Sequence, residues 1–235
     1  MKSTVARTSN VMAAFEAFQN LMDAAQSGSP AIGMFTGKAG YGKTTAGVWL
    51  FAQANGLLVR CLKADSPRSF LERIGQELGL DKRWSKVDTF NFIIKELCVT
   101  RLPLFIDECD YIADKPEILE TIRDIYDMAN VPIIMIGYAE LPRKIKRLEQ
   151  LDSRVAQHVE FKPANSGDIA IMAKALLENC SIADCLAAQL LDVSKGSYRR
   201  IHTALDKIEK FAKANKLTSV TAEQWGNQAF FPSAQ

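Results

Sequence analysis

The sequence predicts an α/β fold in which a five-stranded parallel sheet, covered by helices, is followed by an all-helical C-terminal subdomain. Apolar runs of strand length alternate with helical patterns up to Phe161. This alternation is typical of a parallel sheet with helices on both faces. After Phe161 only helical periodicity remains. We therefore expect an α/β core over residues 1–162 and a helical subdomain over residues 163–235.

Each element follows from its own pattern. Val11, Phe15, Phe18 and Met22 recur at three- and four-residue intervals, which predicts an amphipathic helix over 10–25. The predicted strands are 31–36, 57–64, 102–107, 131–137 and 158–161. The predicted helices of the core are 43–54, 67–79, 87–100, 117–129 and 139–151. Those of the C-terminal part are 166–179, 182–194, 197–215 and a short helix that Thr221 opens, with Gln224 completing a capping box.

Composition restricts the class of protein. The 235 residues are 48% hydrophobic, enough for a full core, and no apolar run approaches the roughly 18 residues that span a bilayer. The first ten residues lack the apolar core of a secretory signal, so we expect a cytoplasmic protein without a membrane partner. Five cysteines without a C-x-x-C pair favour neither a disulfide framework nor a zinc site.

The stretch "FTGKAGYGKTTAG" carries the most specific motif. Gly37, four residues and then Gly42-Lys43-Thr44 match G-x-x-x-x-G-K-[ST], between a predicted strand and a predicted helix. Such a loop turns backbone N–H groups toward a di- or triphosphate, its lysine reaches the β and γ oxygens, and its threonine offers a hydroxyl to Mg²⁺. We therefore predict ATP and Mg²⁺ as cofactors. The predicted nucleotide-binding residues are Gly37, Lys38, Ala39, Gly40, Tyr41, Gly42, Lys43, Thr44 and Thr45.

The run "LPLFIDECD" supplies the acidic residues that such a loop needs. Its strand delivers Asp107 and Glu108 at the carboxyl end, where ligands of open α/β sheets bind. We predict that Asp107 and Thr44 hold the metal and that Glu108 polarises the attacking water. An ordinary strand exit capped by acids is the alternative. Asp110 is interpreted as a helix-initiating or surface acid.

Together these residues resemble the AAA+ ATPases, a family with a parallel sheet and a helical lid. In "GSYRRI", Arg199 matches the sensor-two arginine that would reach the nucleotide from the lid, although Arg199 and Arg200 also fit a basic helix face. In "LDSRV", Arg154 resembles the arginine finger that would enter a neighbouring subunit's site, with Arg147 as its competitor. The fourth strand departs from the family, which usually ends it with Asn, Ser or Thr; Tyr138 is our choice for sensor one.

Within AAA+, residues 10–215 resemble the DNA-transposition ATPases, the type represented by phage Mu transposition protein B. The shared features are G-x-x-E-L after the fourth strand, a helix leading into S-R-[VF], and "GSYRRI" in the lid. The resemblance implies double-stranded DNA, a transposase and further copies of this chain, in an ATP-dependent helical or ring oligomer, as partners. Only one helix precedes the first strand here, whereas the Mu protein carries a helix-turn-helix domain, so DNA contact would come from the ATPase body.

Three basic clusters are candidates for that contact, although each also fits a solvated surface. The segment 141–147 has a local charge of +4, and the lid segment 195–216 has a net charge of +5. A loop at 81–86 places an aromatic residue, Trp84, among cations, although Trp84 also fits a packing anchor. The predicted DNA-binding residues lie in the loop 81–86 and the segment 141–147 and are Lys82, Arg83, Lys86, Arg143, Lys144, Lys146 and Arg147.

Two other functions remain compatible with the motifs. One is an AAA+ ATPase of a secretion or signalling system that has a protein partner and does not bind DNA. The other is a small-molecule P-loop kinase. The basic clusters argue against the first, and "GSYRRI" argues against the second.

Overall fold

The computed structural model describes residues 1–231 of the chain. Contacts divide it into two compact units. The sheet unit comprises Ala13–Gly37 and Lys43–Glu160; the helical unit comprises Met1–Met12, Lys38–Gly42 and the chain from Phe161 onward. Within residues 1–231, none of the helices combines the length and the apolar character needed to cross a bilayer.

A five-stranded sheet with the order β2-β3-β4-β1-β5 organises the sheet unit. Its strands are β1 (Ile32–Gly37), β2 (Leu57–Arg60), β3 (Leu104–Asp107), β4 (Ile133–Gly137) and β5 (Val155–Phe161). The helices are α1 (Ser9–Gln26), α2 (Lys43–Ala54), α3 (Pro67–Glu77), α4 (Lys86–Thr100), α5 (Pro116–Ala129), α6 (Leu141–Ile145) and α7 (Glu149–Asp152), with a 3₁₀ turn at Cys109–Tyr111. The predicted α/β class and five-stranded sheet are confirmed.

The register brings the functional ends of the strands together. The pairs β1–β4, β3–β4 and β2–β3 are all parallel, and Thr36 lies opposite Gly137 while Arg60 lies opposite Asp107. The central strands are fully buried, as expected for a sheet covered on both faces. Their carboxyl ends therefore place the residues after Thr36, Asp107 and Gly137 along one edge of the sheet.

Several predicted boundaries were wrong, and three elements of the sheet unit differ most. Strand β2 ends at Arg60, not at residue 64, because the Asp65 carboxylate accepts the Leu62 N–H at 2.7 Å and turns the chain. The predicted helix 139–151 is two short helices, α6 and α7, because the backbone leaves helical geometry at Leu148. Strand β5 begins at Val155, three residues earlier than predicted.

Four further helices pack around one apolar core in the helical unit. They are α8 (Ser166–Leu176), α9 (Asp184–Ser194), α10 (Tyr198–Ala214) and α11 (Ala222–Trp225). The core includes Ile169, Leu190, Ile201 and Leu205, and Trp225 stacks on Phe230. This part is not wholly helical as predicted, because two-residue strands β6 (Ser181–Ile182) and β7 (Ser219–Val220) form a parallel pair.

A buried carboxylate anchors the N-terminal segment within the helical unit. Asp168 accepts hydrogen bonds from the Ser9 N–H at 2.7 Å, from the Ser9 hydroxyl at 2.9 Å and from the Tyr198 hydroxyl at 2.8 Å. Burial by itself raises the pKa of Asp168, but these donors outweigh it and the pKa is lowered. Asp168 therefore stays ionised and ties α1 and α10 together.

Candidate nucleotide-binding site

The loop between β1 and α2 has the backbone geometry of a phosphate-binding turn. Gly40 and Gly42 have φ values of +83° and +91°, a region that side chains disfavour. A Cβ at residue 40 would also lie 2.7 Å from Ser197 Oγ. Of the predicted loop residues, Lys38, Ala39 and Thr45 are exposed and Tyr41 is half-buried. Glycine is therefore required at residue 40 for both its conformation and its lack of a side chain.

Lys43 opens α2 and is buried, with 9% of its surface exposed. Its Nζ donates a hydrogen bond to the Gly37 carbonyl at 2.6 Å. The same ammonium lies 5.2 Å from the centroid of the Tyr138 ring. The lysine is thus held at the foot of the loop, where the N-terminal end of α2 adds to its positive potential.

The two residues predicted to hold the metal, Asp107 and Thr44, are in contact. The Thr44 hydroxyl donates to Asp107 Oδ1 at 3.3 Å. Asp107 Oδ2 is buried and has no hydrogen-bond partner among the described residues, although Arg60 Nη2 lies 3.5 Å away as an ion-pair partner. An unsatisfied buried carboxylate oxygen beside a hydroxyl fits Mg²⁺, which takes oxygen ligands and keeps several waters. No cluster of three or more His, Cys, Asp or Glu side chains suited to a metal occurs within residues 1–231.

Glu108 has an unusual backbone. Its φ and ψ are 57° and 40°, the left-handed region that non-glycine residues rarely adopt. Its N–H donates to Asp107 Oδ1 at 2.9 Å, which couples the conformations of the two acids. The side chain is half-buried. Strain of this kind is concentrated at functional sites, which favours the role predicted for Glu108.

Asp110, which the sequence suggested to be a helix-initiating or surface acid, is half-buried and also contacts the end of β4. It lies in the 3₁₀ turn after β3, and its two carboxylate oxygens accept the Tyr138 N–H at 2.9 and 2.8 Å. Burial raises the pKa of Asp110, against the opposing effects of the Tyr138 N–H, Lys43 and Lys144. The D-E-x-D spacing was the only signal for this residue, and it does not identify a partner 28 positions away.

Within the helical unit, Arg199 adjoins the tip of the loop. Its backbone N–H donates to the Gly40 carbonyl at 3.1 Å, and its side chain is exposed. The Arg200 guanidinium instead lies 4.4 Å from the centroid of the Phe231 ring. The two adjacent arginines therefore have different partners, and Arg199 is the one that lies beside the glycine-rich loop.

Asn10 is a residue of this region that the sequence did not reveal. Its Nδ2 donates to the Tyr41 carbonyl at 3.2 Å and to the Lys162 carbonyl at 2.8 Å. Its Oδ1 accepts the Lys162 N–H at 3.1 Å. These bonds join residues 31 and 152 positions apart, so no local sequence pattern predicts them.

Arg154 has partners within its own chain. Its guanidinium forms a two-point ion pair with Asp127, at 2.8 Å to Oδ1 and 3.0 Å to Oδ2, and also donates to the Gln150 carbonyl and to Ser153. The arginine and the aspartate are about one third exposed. A role as a finger would require the side chain to exchange these partners for a phosphate.

The predicted DNA-binding cations are mostly exposed and differ in their partners. Lys144 Nζ is paired with Asp114 at 2.6 Å. Within residues 1–231, no ion pair engages the others, which are Lys82, Arg83, Lys86, Arg143, Lys146 and Arg147. In the loop before α4, Trp84 is 40% exposed and contacts Phe92 edge-on at 5.5 Å. In the lid segment, Lys210 pairs with Asp206.

A family model described as "AAA domain" matches residues 26–145, just over half of the chain. The chain belongs to the AAA domain family. The matched range contains the glycine-rich loop, Asp107 and Glu108, and Tyr138. The predicted AAA-type P-loop fold is therefore confirmed, whereas the transposition subtype is not established by this match.

Relatives agree with this assignment. Over 131 residues the chain is 27% identical to a Staphylococcus aureus protein described as "Potential ATP-binding protein"; the aligned part is 51% of this chain and 46% of that one. The chain thus spans about half the length of that curated relative.

Solved AAA-type structures match most of the chain. ORC2 of Aeropyrum pernix, solved as ADPNP–ADP complexes, has a TM-score of 0.72 at 15% identity and covers 95% of this chain and 68% of that one. ORC1 of the same organism, solved in complex with DNA, has a TM-score of 0.63 at 15% identity, with 95% and 64% covered. A RuvB variant of Thermotoga maritima gives 0.61 at 16% identity, with 91% and 66% covered. At these identities the likeness establishes the fold.

Proposed function

We propose that this AAA domain is an Mg²⁺-dependent ATPase that binds double-stranded DNA without strong sequence preference and assembles on it into a helical or ring oligomer. The observation that carries the ATPase proposal is the group of Lys43, Thr44, Asp107 and Glu108 at one edge of the sheet. The left-handed backbone of Glu108 and the unsatisfied oxygen of Asp107 support it.

The residues divide the chemistry among them. Loop N–H groups and the Lys43 ammonium bind the β and γ phosphates of ATP, and Thr44 with Asp107 would hold Mg²⁺. When bound, Mg²⁺ offsets the negative charge of the phosphate oxygens. The Glu108 carboxylate orients the attacking water and accepts its proton. Arg199 approaches the nucleotide from the lid as sensor two, and Tyr138 occupies the sensor-one position.

Assembly follows from the arginine finger. Arg154 of one subunit would stabilise the charge that develops on the γ-phosphate bound by its neighbour. Hydrolysis then depends on contact between subunits, and ATP bound across that contact favours the oligomer. The ion pair with Asp127 holds the arginine in the isolated subunit and is exchanged for phosphate on assembly.

DNA binding is proposed from charge. Two exposed clusters are the loop 81–86 and the segment 143–147. Apart from Lys144, which pairs with Asp114, their cations have no ion-pair partners among the described residues, which suits contact with phosphates. ORC1 of Aeropyrum pernix, which shares the fold, was solved in complex with DNA. We further propose a transposase as the protein partner, on the resemblance of the sequence to transposition ATPases.

The salt dependence of DNA binding tests this proposal. With ATP and the hydrolysis-deficient Glu108→Gln variant, affinity for random duplexes should fall steeply with salt and vary little with sequence. Replacing Lys146 and Arg147 by alanine should reduce the slope of log K against log[salt] by about 1.8, since each phosphate contact contributes about 0.9. Replacing Lys82 and Arg83 gives the same measurement for the other cluster.

Lys95→Ala is the matched control, because Lys95 is an exposed lysine on α4 outside both clusters. Its slope should equal that of the parent protein. If the parent binds no duplex with ATP at low salt, the DNA proposal is wrong and a protein partner, as in secretion or signalling ATPases, becomes the better candidate. If both double variants bind DNA as the parent does, the lid segment becomes the candidate for DNA contact.

A further inference from the structure

Tyr138 is an unexpected residue at the end of β4. The resemblance to AAA+ proteins led us to expect Asn, Ser or Thr here, whose short polar side chains act by hydrogen bonding. In this chain the position directly after Gly137 carries an aromatic ring that is 43% exposed. The side chain makes no hydrogen bond through its hydroxyl among the described residues. Its contact with the loop is made by the ring.

The ring contacts Lys43. The ammonium lies 5.2 Å from the ring centroid, inside the range of about 6 Å at which a cation is attracted to an aromatic face. The ammonium also donates to the Gly37 carbonyl at 2.6 Å. A ring face is a weaker partner than a carboxylate, so it orients the ammonium without forming an ion pair that phosphate must break.

Asp110 holds the backbone of Tyr138. Both of its carboxylate oxygens accept the Tyr138 N–H, at 2.9 and 2.8 Å, which sets the backbone where β4 ends. A Cβ on Gly137 would lie 3.2 Å from Asp110 Oδ2, so the approach is close. Asp110 itself lies three residues after Asp107, in the 3₁₀ turn that follows β3. The 3₁₀ turn after β3 thus positions Tyr138, the first residue after β4.

We propose that Tyr138 acts through its ring rather than its hydroxyl, as a positioning residue that holds Lys43 toward the loop, and that Asp110 is the positioning residue for Tyr138. This inference rests on the proposed ATPase function and replaces a hydroxyl contact with phosphate as the role of Tyr138. It predicts that substitutions of Tyr138 differ according to whether they keep an aromatic ring. Phenylalanine keeps the ring contact with Lys43, whereas asparagine, one of the residues usual in the family, loses it.

The first test needs no nucleotide. The ring face shifts the NMR signal of the Lys43 ε-methylene upfield, and Lys43→Arg assigns that signal by removing it. In the full chain without nucleotide, Tyr138→Phe should leave the signal in place. Tyr138→Ala should move it downfield to the position of solvent-exposed lysines, and Asp110→Ala should move it in the same direction because the ring is no longer fixed.

The second test measures ATP affinity and hydrolysis. Tyr138→Ala and Tyr138→Asn should weaken ATP binding about two- to fivefold, the size of a cation–π contact at an exposed site, while Tyr138→Phe, which keeps the ring, should be impaired less than either. Asp110→Asn retains one acceptor oxygen and should lose less than Asp110→Ala. Tyr111→Ala is the control, because Tyr111 is similarly exposed at 46% and lies in the same turn as Asp110.

The outcomes separate the two levels of the account. The ring role is overturned if the Lys43 signal is unchanged in Tyr138→Ala, or if Tyr138→Phe is as impaired as Tyr138→Ala. The Tyr138 hydroxyl would then be the group that acts as sensor one. Asp110→Ala without effect on the signal overturns the role of Asp110. Failure of the parent protein to bind ATP overturns the proposed function instead, and it leaves the NMR result intact.

Discussion

Glu108→Gln should bind ATP as the parent protein does and hydrolyse it about 10²- to 10⁴-fold more slowly, because an amide cannot accept the proton of the attacking water. The substitution preserves size, and the left-handed backbone at residue 108 is unaffected by the change from acid to amide. Lys43→Ala should instead weaken ATP binding about 10- to 100-fold, the value of a buried charged hydrogen-bonding group. Binding of a fluorescent ATP analogue and steady-state phosphate release measure the two effects.

Two controls accompany this pair. Glu117→Gln removes an exposed acid at the start of α5 and should change neither quantity. Circular dichroism melting should show that Lys43→Ala is folded. Turnover by Glu108→Gln at the parent rate would show that another group activates the water. Undiminished ATP binding by Lys43→Ala would exclude the loop as the nucleotide site.

Arg154→Ala should bind ATP normally and hydrolyse it about 10³-fold more slowly, because the γ-phosphate loses the cation supplied by a neighbouring subunit. Loss of the ion pair with Asp127 does not explain such a decrease, since an exposed pair contributes only about 0.2–1 kcal/mol to stability. Asp127→Ala is the matched control. It removes the same pair but keeps the arginine, so it should retain hydrolysis.

Mixing experiments decide whether Arg154 acts in trans. Arg154→Ala keeps an intact nucleotide site, and Lys43→Ala keeps an intact arginine, so the mixture should recover part of the activity that each lacks. Specific activity of the parent should rise with protein concentration. Turnover independent of concentration, or no recovery in a mixture whose oligomers are demonstrated, would assign the role to Arg147 or to a residue of the same subunit.

The sequence was sufficient for the features that depend on local patterns. The five strands, the loop from Gly37 to Thr44, and the positions of Asp107 and Glu108 at a strand end all follow from apolar runs and motif spacing. The structure places the Thr44 hydroxyl 3.3 Å from Asp107 Oδ1. Burial explains this success, because a central parallel strand must be apolar throughout and its end is therefore visible in the sequence.

Contacts between distant residues could not be predicted. Asn10 reaches Lys162, and Asp110 reaches Tyr138, through side chains whose identity is compatible with many surface positions. The break between α6 and α7 likewise depends on tertiary packing, because Leu151 and Ile145 are both buried although the helix does not continue between them. At such positions tertiary packing, rather than the helix propensity of the sequence, decides where a helix ends.

Electron microscopy of Glu108→Gln with duplex DNA and ATP tests the central claim most directly. Because this variant should bind ATP without consuming it, the account predicts regular protein-coated duplexes or rings around DNA, absent without nucleotide and absent for Lys43→Ala with ATP. The same assemblies should disappear at high salt. Assemblies that form equally without ATP, or monomers that remain unbound at low salt with ATP, would contradict an ATP-dependent DNA-binding oligomer.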